Sequence, residues 1–296
     1  MAAPDPAPAD GAGDTAEPAK KASRAGRNLP AAIAVGAALG FSVIAILIFV
    51  PYVWIGVVAA AMALATHEVV RRLRTAGYAI PVIPLLIGGQ AMVWLTWPFG
   101  PAGALGSFGG TIVVCMIWRL LSGGLKDAPV NYLRDISTTV LLAAWIPLFG
   151  AFGTLLVYPD DGGARVLCLM VGVVFSDIGG YAAGVLFGKH PMVPAISPKK
   201  SWEGFAGSAI ACVVAGTLTV PLLLDGPWWA GPLVGLAAVL AATLGDLSES
   251  MIKRDLGIKD MSNILPGHGG LMDRLDSLLA TVPVVWLVLT FVLPHS

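Results

Sequence analysis

Charge and glycine crowd into one late stretch of the chain, SMIKRDLGIKDMSNILPGHGGLMDRLDS, from Ser250 to Ser277. It holds Lys253, Arg254, Asp255, Lys259, Asp260, Asp273, Arg274 and Asp276, out of only 36 charged residues (18 basic, 18 acidic) in a chain of 296. Just upstream, Asp246, Glu249, Ser250 and Lys253 fall three, four and seven residues apart, which places them on one helix face. Glu249 and Lys253 read as an ordinary helical ion pair. Asp246 does not, because it lies a turn deeper with no basic residue within four positions. Downstream, Pro266, Gly267, Gly269 and Gly270 interrupt regular helix and bare backbone N–H groups. A turn of this kind feeding a helix N-terminus attracts anions. Asp273 and Asp276, three apart, share a face of the helix that follows. Two such carboxylates can simply favour the helix dipole, or they can bracket a cation. With Asp246 approaching from the preceding helix, a cation is the expectation. Hard oxygen ligands select Mg²⁺, which takes one or two carboxylates and completes its shell with water and substrate phosphate.

Two further clusters stand out. Asp177, in VVFSDIGGY, sits mid-way along an apolar run, where a charge costs about 3 kcal/mol unless it meets a polar cavity or a counter-charge. The segment ISPKKSWEGFAGS, residues 196–208, brings Lys199, Lys200 and Ser201 to the start of another apolar run. Ser201 is placed to cap that helix. The two lysines read either as juxtamembrane charge or as a phosphate-binding pair. The chain lacks G-x-x-x-x-G-K-[ST], H-E-x-x-H and G-x-S-x-G, so P-loop, zinc-peptidase and serine-hydrolase readings fail. DGGAR at 161–165 is one residue short of a CDP-alcohol phosphotransferase opening and is set aside. His67 and Glu68 read as a satisfied interfacial pair rather than as ligands. Cys115, Cys168 and Cys212 lie in apolar runs without metal-ligand spacing and read as packing residues.

The elements that must position these side chains follow from composition. The chain is 56% hydrophobic and 12% charged, against about 25% charged for a soluble domain. The uncharged runs 28–66, 75–118, 136–159, 204–224, 226–245 and 277–294 are long and do not alternate, which points to spanning helices rather than a barrel. The expectation is an all-α, polytopic membrane helix bundle of about nine transmembrane helices, near 30–49, 52–71, 80–97, 103–121, 137–157, 165–187, 204–224, 228–250 and 277–293. Pro51 splits the first long run; Pro98 and Pro101 split the second. With the N-terminus cytoplasmic, 17 of the 18 Lys and Arg fall on the inside and only Arg165 outside, as the positive-inside rule requires. Residues 1–28 read as a disordered tail, 29–165 as about five N-terminal helices, and 166–296 as a catalytic region with cytoplasmic loops 188–203 and 251–276. Small residues four apart (Gly180, Gly184, Gly188; Gly204, Ser208, Cys212, Gly216) are placed for close helix contact in lipid. Acids, bases and a glycine-rich turn thus gather on one face of a lipid-embedded bundle. That arrangement suits phosphoryl or nucleotidyl transfer to a lipid, which needs positioning and charge neutralisation more than a covalent side chain.

The late stretch resembles the signature of the phosphatidate cytidylyltransferases. That pattern is met at Ser250, Lys253, Arg254, Lys259, Asp260, Ser262, Leu265, Pro266, His268, Gly269, Gly270, Asp273, Arg274 and Asp276 without a gap. SDIGGYAAG, SPKKSWEG and GDLSES look like the same family, so the likeness is strong over about 175–276. It implies the reaction of CTP with phosphatidic acid to give CDP-diacylglycerol and pyrophosphate, with Mg²⁺ and room for a second cation. Carried over, the metal-holding acids are Asp246 and Asp273, with Asp276 beside them. Lys253, Arg254, Lys259 and Arg274, with Lys199, Lys200 and Ser201 from the other loop, would bind substrate and neutralise phosphate. His268 would donate to a phosphate oxygen, and Asp177 would support the cation. The family also implies a homodimer in the plasma (inner) membrane with its active site facing the cytoplasm, and no nucleic-acid partner. Two other readings stay open: a cytidylyltransferase for a different lipid phosphate, and a transporter, which would carry charges mid-membrane in several helices.

Overall fold

The computed structural model describes residues 41–50, 52–122, 125–126, 128–262, 264 and 269–293. The chain divides into Met1–Leu39 and Gly40–Ser296. The first unit, and with it the expected tail 1–28, lies outside the described residues; all that follows concerns the second.

Its helices are α1 (41–49), α2 (Val53–Thr75), α3 (Val82–Ser122), α4 (Tyr132–Ala143), α5 (Phe149–Val157), α6 (Gly162–Phe187), α7 (Trp202–Leu224), α8 (Ala230–Asp255) and α9 (Met272–Val292). A π turn at Ala144–Leu148, around Pro147, joins α4 to α5, so that Tyr132–Val157 runs on as one segment. Seven of these segments are long and apolar enough to cross a membrane. Within α3, Gly100 adopts φ 57° and ψ −144° and breaks the helix, a backbone shape that glycine reaches without a steric cost. The chain turns back there, so that Gly88 packs against Thr111 within the same element. The outward faces are apolar: Leu222 on α7 is 76% exposed and Phe291 on α9 is 81% exposed. Apolar surface of that extent belongs in hydrocarbon, and a helix satisfies its own backbone there.

The expected helix ends shift in two places that matter. α8 continues to Asp255, so Lys253 and Arg254 are helical; α9 begins at Met272, so Asp273 and Asp276 stand in its first turns. The segment 188–203, expected as loop, contains a short antiparallel hairpin of β1 (Pro191–Val193) and β2 (Ser197–Ser201), an addition to the all-α expectation. Its strands are too short to show an alternating pattern in sequence.

Small residues let α6 and α7 meet backbone to backbone. A Cβ at Gly204 would lie 3.1 Å from the Gly180 carbonyl oxygen, and one at Gly207 would lie 2.6 Å from that of Gly179. Ser208 Oγ donates to Ser176 O at 2.7 Å, and Cys212 Sγ to Gly172 O at 3.3 Å, so the hydroxyl and the thiol serve as polar glue across the same seam. Gly216, further along α7, faces Gly231 and Gly235 of α8 instead. The Gly207→Leu variant is expected to force the helices apart and to destabilise the fold by about 1–3 kcal/mol or more. A lowered apparent melting temperature in detergent checks this; an unchanged one would contradict the close approach.

The other half packs around α2, α5 and α9, where Ala65, Val69, Leu156, Val285 and Leu289 are fully buried and Phe152 meets Trp286 edge to face at 5.1 Å. At the α3–α4 junction, Arg119 and Arg134 each bond the buried Asp135 carboxylate, with ion pairs of 3.0 Å. Two inward-counted arginines are thereby committed to structure.

Candidate active site

Ser201 begins α7, and its side chain accepts from Gly204 N at 3.1 Å, the cap anticipated from its place before the helix. Capping fixes the strand that enters α7, and so fixes Lys199 and Lys200 beside it. The hairpin is tied down at its base by Glu203, whose Oε2 takes the backbone N–H groups of Lys189 (3.1 Å) and His190 (3.2 Å). It is tied at its turn by Arg254, whose Nε donates to Ile196 O at 3.2 Å.

A cavity of about 370 Å³ opens between this hairpin and α6, α7 and α8. Asp177, Lys199, Lys200, Ser201 and Asp246 are among its polar lining residues, and Tyr181, Met192 and Phe205 among its apolar ones. Asp177 therefore meets the polar cavity that its costly position in an apolar run required. Asp246 also finds the cation missing within four positions of it on its own helix: Lys200 Nζ lies 2.5 Å from its Oδ2, and Ser250 Oγ donates to its Oδ1 at 3.3 Å. Asp276 stands close enough that its charge acts on both Asp177 and Asp246. Its Oδ1 takes the Ser277 N–H at 2.6 Å.

Behind the cavity, Lys253 Nζ bridges Glu249 Oε2 at 2.9 Å and Asp273 Oδ1 at 3.0 Å. Glu249 is wholly buried. Its Oε1 has no hydrogen-bond partner among the described residues, and the Asp276 carboxylate is near enough for its charge to act on Glu249. A buried carboxylate oxygen beside a second carboxylate calls for a cation or a proton nearby. Asp273 is already well occupied. Besides Lys253, it accepts the backbone N–H groups of Met261 (2.9 Å) and Gly270 (2.9 Å) on Oδ2.

A third group comes from α2. Glu68, 2% exposed, accepts from Ser262 Oγ (2.7 Å), Leu271 N (3.0 Å) and Met272 N (2.9 Å). One turn on, Arg72 Nε donates to Met261 O at 2.5 Å. Glu68 is thus a satisfied buried group, as its sequence position implied, but its partners lie about 200 residues away and not at His67.

Asp177, Lys199, Lys200, Ser201 and Asp246 share one cavity, with Asp276 at its edge. Lys253 and Asp273 form the layer behind it. Arg254 and Lys259 border a separate shallow depression, and Arg274 is exposed on the first turn of α9. His268 lies outside the described residues, as do Leu265, Pro266 and Gly267. Glu68, Arg72 and Glu249 are the groups that sequence reasoning missed as parts of the site's framework. Only the charge of Glu68 at a helix end hinted at its role.

Carboxylate oxygens are the donors a hard divalent cation takes. Asp177, Asp246 and Asp276 lie near enough to act on one another's charge, Lys200 pairs with Asp246, and Glu249 Oε1 is a buried oxygen without a donor among the described residues. Among the described residues no three acidic, His or Cys side chains are close enough to enclose an ion. The protein would therefore supply one or two carboxylates and leave the rest of the shell to water and substrate, the usual Mg²⁺ pattern.

Comparison with known proteins places this geometry in context. The sequence model of the Cytidylyltransferase family matches residues 30–292. The phosphatidate cytidylyltransferase of Mycobacterium bovis is 59% identical over 293 residues, covering 96% of each chain. That of Mycobacterium leprae is 59% identical over 282 residues, covering 92% of this chain and 90% of its own. That of Pseudomonas aeruginosa is 39% identical over 222 residues, 72% of each chain.

Proposed function

Since the chain belongs to the cytidylyltransferase family, we propose that it transfers the cytidylyl group of CTP to phosphatidic acid, giving CDP-diacylglycerol and pyrophosphate. It is a nucleotidyltransferase built as a multi-pass membrane protein. The observation that carries the choice of substrate is the mixed lining of one cavity: Lys199, Lys200, Asp177 and Asp246 together with Tyr181, Met192 and Phe205, set among lipid-facing helices. A nucleotide and a lipid phosphate can meet there without either leaving its own solvent.

The nucleophile is an oxygen of the lipid phosphate, whose second pKa is about 6, so at neutral pH it is largely a dianion and needs no protein base. It attacks the α-phosphorus of CTP. The bond from that phosphorus to the bridging oxygen breaks, and pyrophosphate leaves with the electron pair. Bringing two polyanions together is the obstacle, and positioned charge answers it. Lys199 and Lys200 enter from the hairpin and engage phosphate; Ser201 holds them at the right depth. Asp246 would hold Mg²⁺ with Asp273 or Asp276, and Asp177 would support it from the opposite wall. When bound, Mg²⁺ supplies charge neutralisation at the phosphates. Lys253 keeps Asp273 oriented, while Arg254, Lys259, Arg274 and His268 offset charge on the triphosphate.

The proposed setting has the N-terminus and the active site on the cytoplasmic side of the plasma membrane. It has about nine crossings, counting the two arms of α3 separately and the first helix from near residue 30. Residues 29–165 act as scaffold and 166–296 as the catalytic region, and two chains associate as a homodimer. Detergent-solubilised protein given labelled CTP and phosphatidic acid is expected to release pyrophosphate and form a labelled lipid only with Mg²⁺ present. Absence of pyrophosphate release would overturn the reaction. Release with an isoprenoid phosphate but not with phosphatidic acid would overturn the substrate.

A further inference from the structure

We infer that Glu68 and Arg72, on α2 and remote in sequence from every group assigned to the chemistry, are positioning residues for this reaction. The inference rests on the function proposed above. A helix start leaves backbone N–H groups without partners, and Leu271, the residue before α9, offers no side-chain cap. Glu68 supplies that cap from another helix: Oε1 takes Leu271 N and Oε2 takes Met272 N, at 3.0 and 2.9 Å. The same Oε1 takes Ser262 Oγ at 2.7 Å, so residues on either side of the glycine-rich turn are drawn to one carboxylate. Arg72 donates to Met261 O while Asp273 accepts from Met261 N, so the peptide groups on both sides of Met261 are held.

Gly270 lies where the two carboxylates converge. A Cβ there would stand 2.9 Å from Asp273 Oδ2 and 3.0 Å from Glu68 Oε2. Among the described residues the three donors to Glu68 are neutral, so the N-terminal dipole of α9 is the positive charge they present to it. The first turns of α9 carry Asp273, Arg274 and Asp276. Their depth and rotation relative to Asp246 on α8 depend on where that helix start is pinned. Glu68 and Arg72 set this without touching substrate.

The test uses full-length protein in detergent, with kcat and KM measured for both substrates. Glu68→Ala is expected to lower kcat about 10- to 100-fold, the usual effect of removing a group that orients ligands. Glu68→Gln keeps an oxygen for two of the three donors but sets an amide N–H₂ against the third, and is expected to fall in between. KM for phosphatidic acid should hold, since its proposed cavity wall on α6 and α7 does not contact Glu68. Hydrogen exchange at Leu271 and Met272 should quicken in Glu68→Ala while α6 and α7 keep their protection. If Glu68→Ala fails to fold, Glu68→Gln decides by itself: a lowered kcat with unchanged melting supports the role. Normal kcat in either folded variant, or a uniform loss of protection across all helices in Glu68→Gln, overturns it. An inactive unmodified protein is a different result, because it overturns the assigned reaction itself.

Discussion

Asp246→Asn is expected to cut CDP-lipid formation by about 10²- to 10³-fold while leaving the protein folded. The side chain keeps its size, and its amide can still meet Ser250. What is lost is the negative charge that Lys200 contacts at 2.5 Å and that the proposed Mg²⁺ requires. Asp246 is 34% exposed to the cavity, so its ion pair contributes little to stability. Activity should therefore fall with almost no change in melting temperature. Retention of more than about a tenth of the Mg²⁺-dependent rate would remove Asp246 from the metal assignment, because an essential charge-bearing group cannot be worth so little.

Asp273→Ala should behave differently, losing activity and stability together. Its carboxylate is 9% exposed, pairs with a Lys253 that is 16% exposed, and accepts two backbone N–H groups. Deleting it leaves Lys253 with Glu249 as its remaining carboxylate and leaves Met261 N and Gly270 N without their acceptor. Each buried donor left unsatisfied costs about 1–3 kcal/mol, so a clear drop in melting temperature is expected alongside a loss of CDP-lipid formation. The milder Asp273→Asn keeps one acceptor oxygen and should recover part of the stability. If it recovers full activity as well, Asp273 is architecture and the cation belongs to Asp246 with Asp276. If stability returns and activity does not, Asp273 is a ligand.

The parts of this site readable in sequence were those whose cost was local. Asp177 stood out because charge in an apolar run needs a polar surrounding, and the cavity provides one. Asp246 stood out because its own helix offered no cation within four positions, and Lys200 arrives from the hairpin. Ser201 could be read as a cap from its position alone. Glu68 could not be read this way, since the backbone N–H groups it takes lie about 200 residues on, at Leu271 and Met272, and only folding brings them together. Arg254 was legible as a cation near phosphates, yet it spends a donor on Ile196 O, a backbone atom with no signature in sequence. The reversal at Gly100 fell between two prolines that marked a break without showing that the chain turns back.

The cap on α9 also has a direction in time. Chains emerge from the ribosome N-terminus first, so the carboxylate of Glu68 is made about 200 residues before the amides it receives. α9 docks onto an acceptor already in place. A chain released early, before Leu271, would carry Asp177, Lys200 and Asp246 but would leave Glu68 without the amides of Leu271 and Met272. Seating of the start of α9 on Glu68 therefore waits until Leu271 and Met272 have been made.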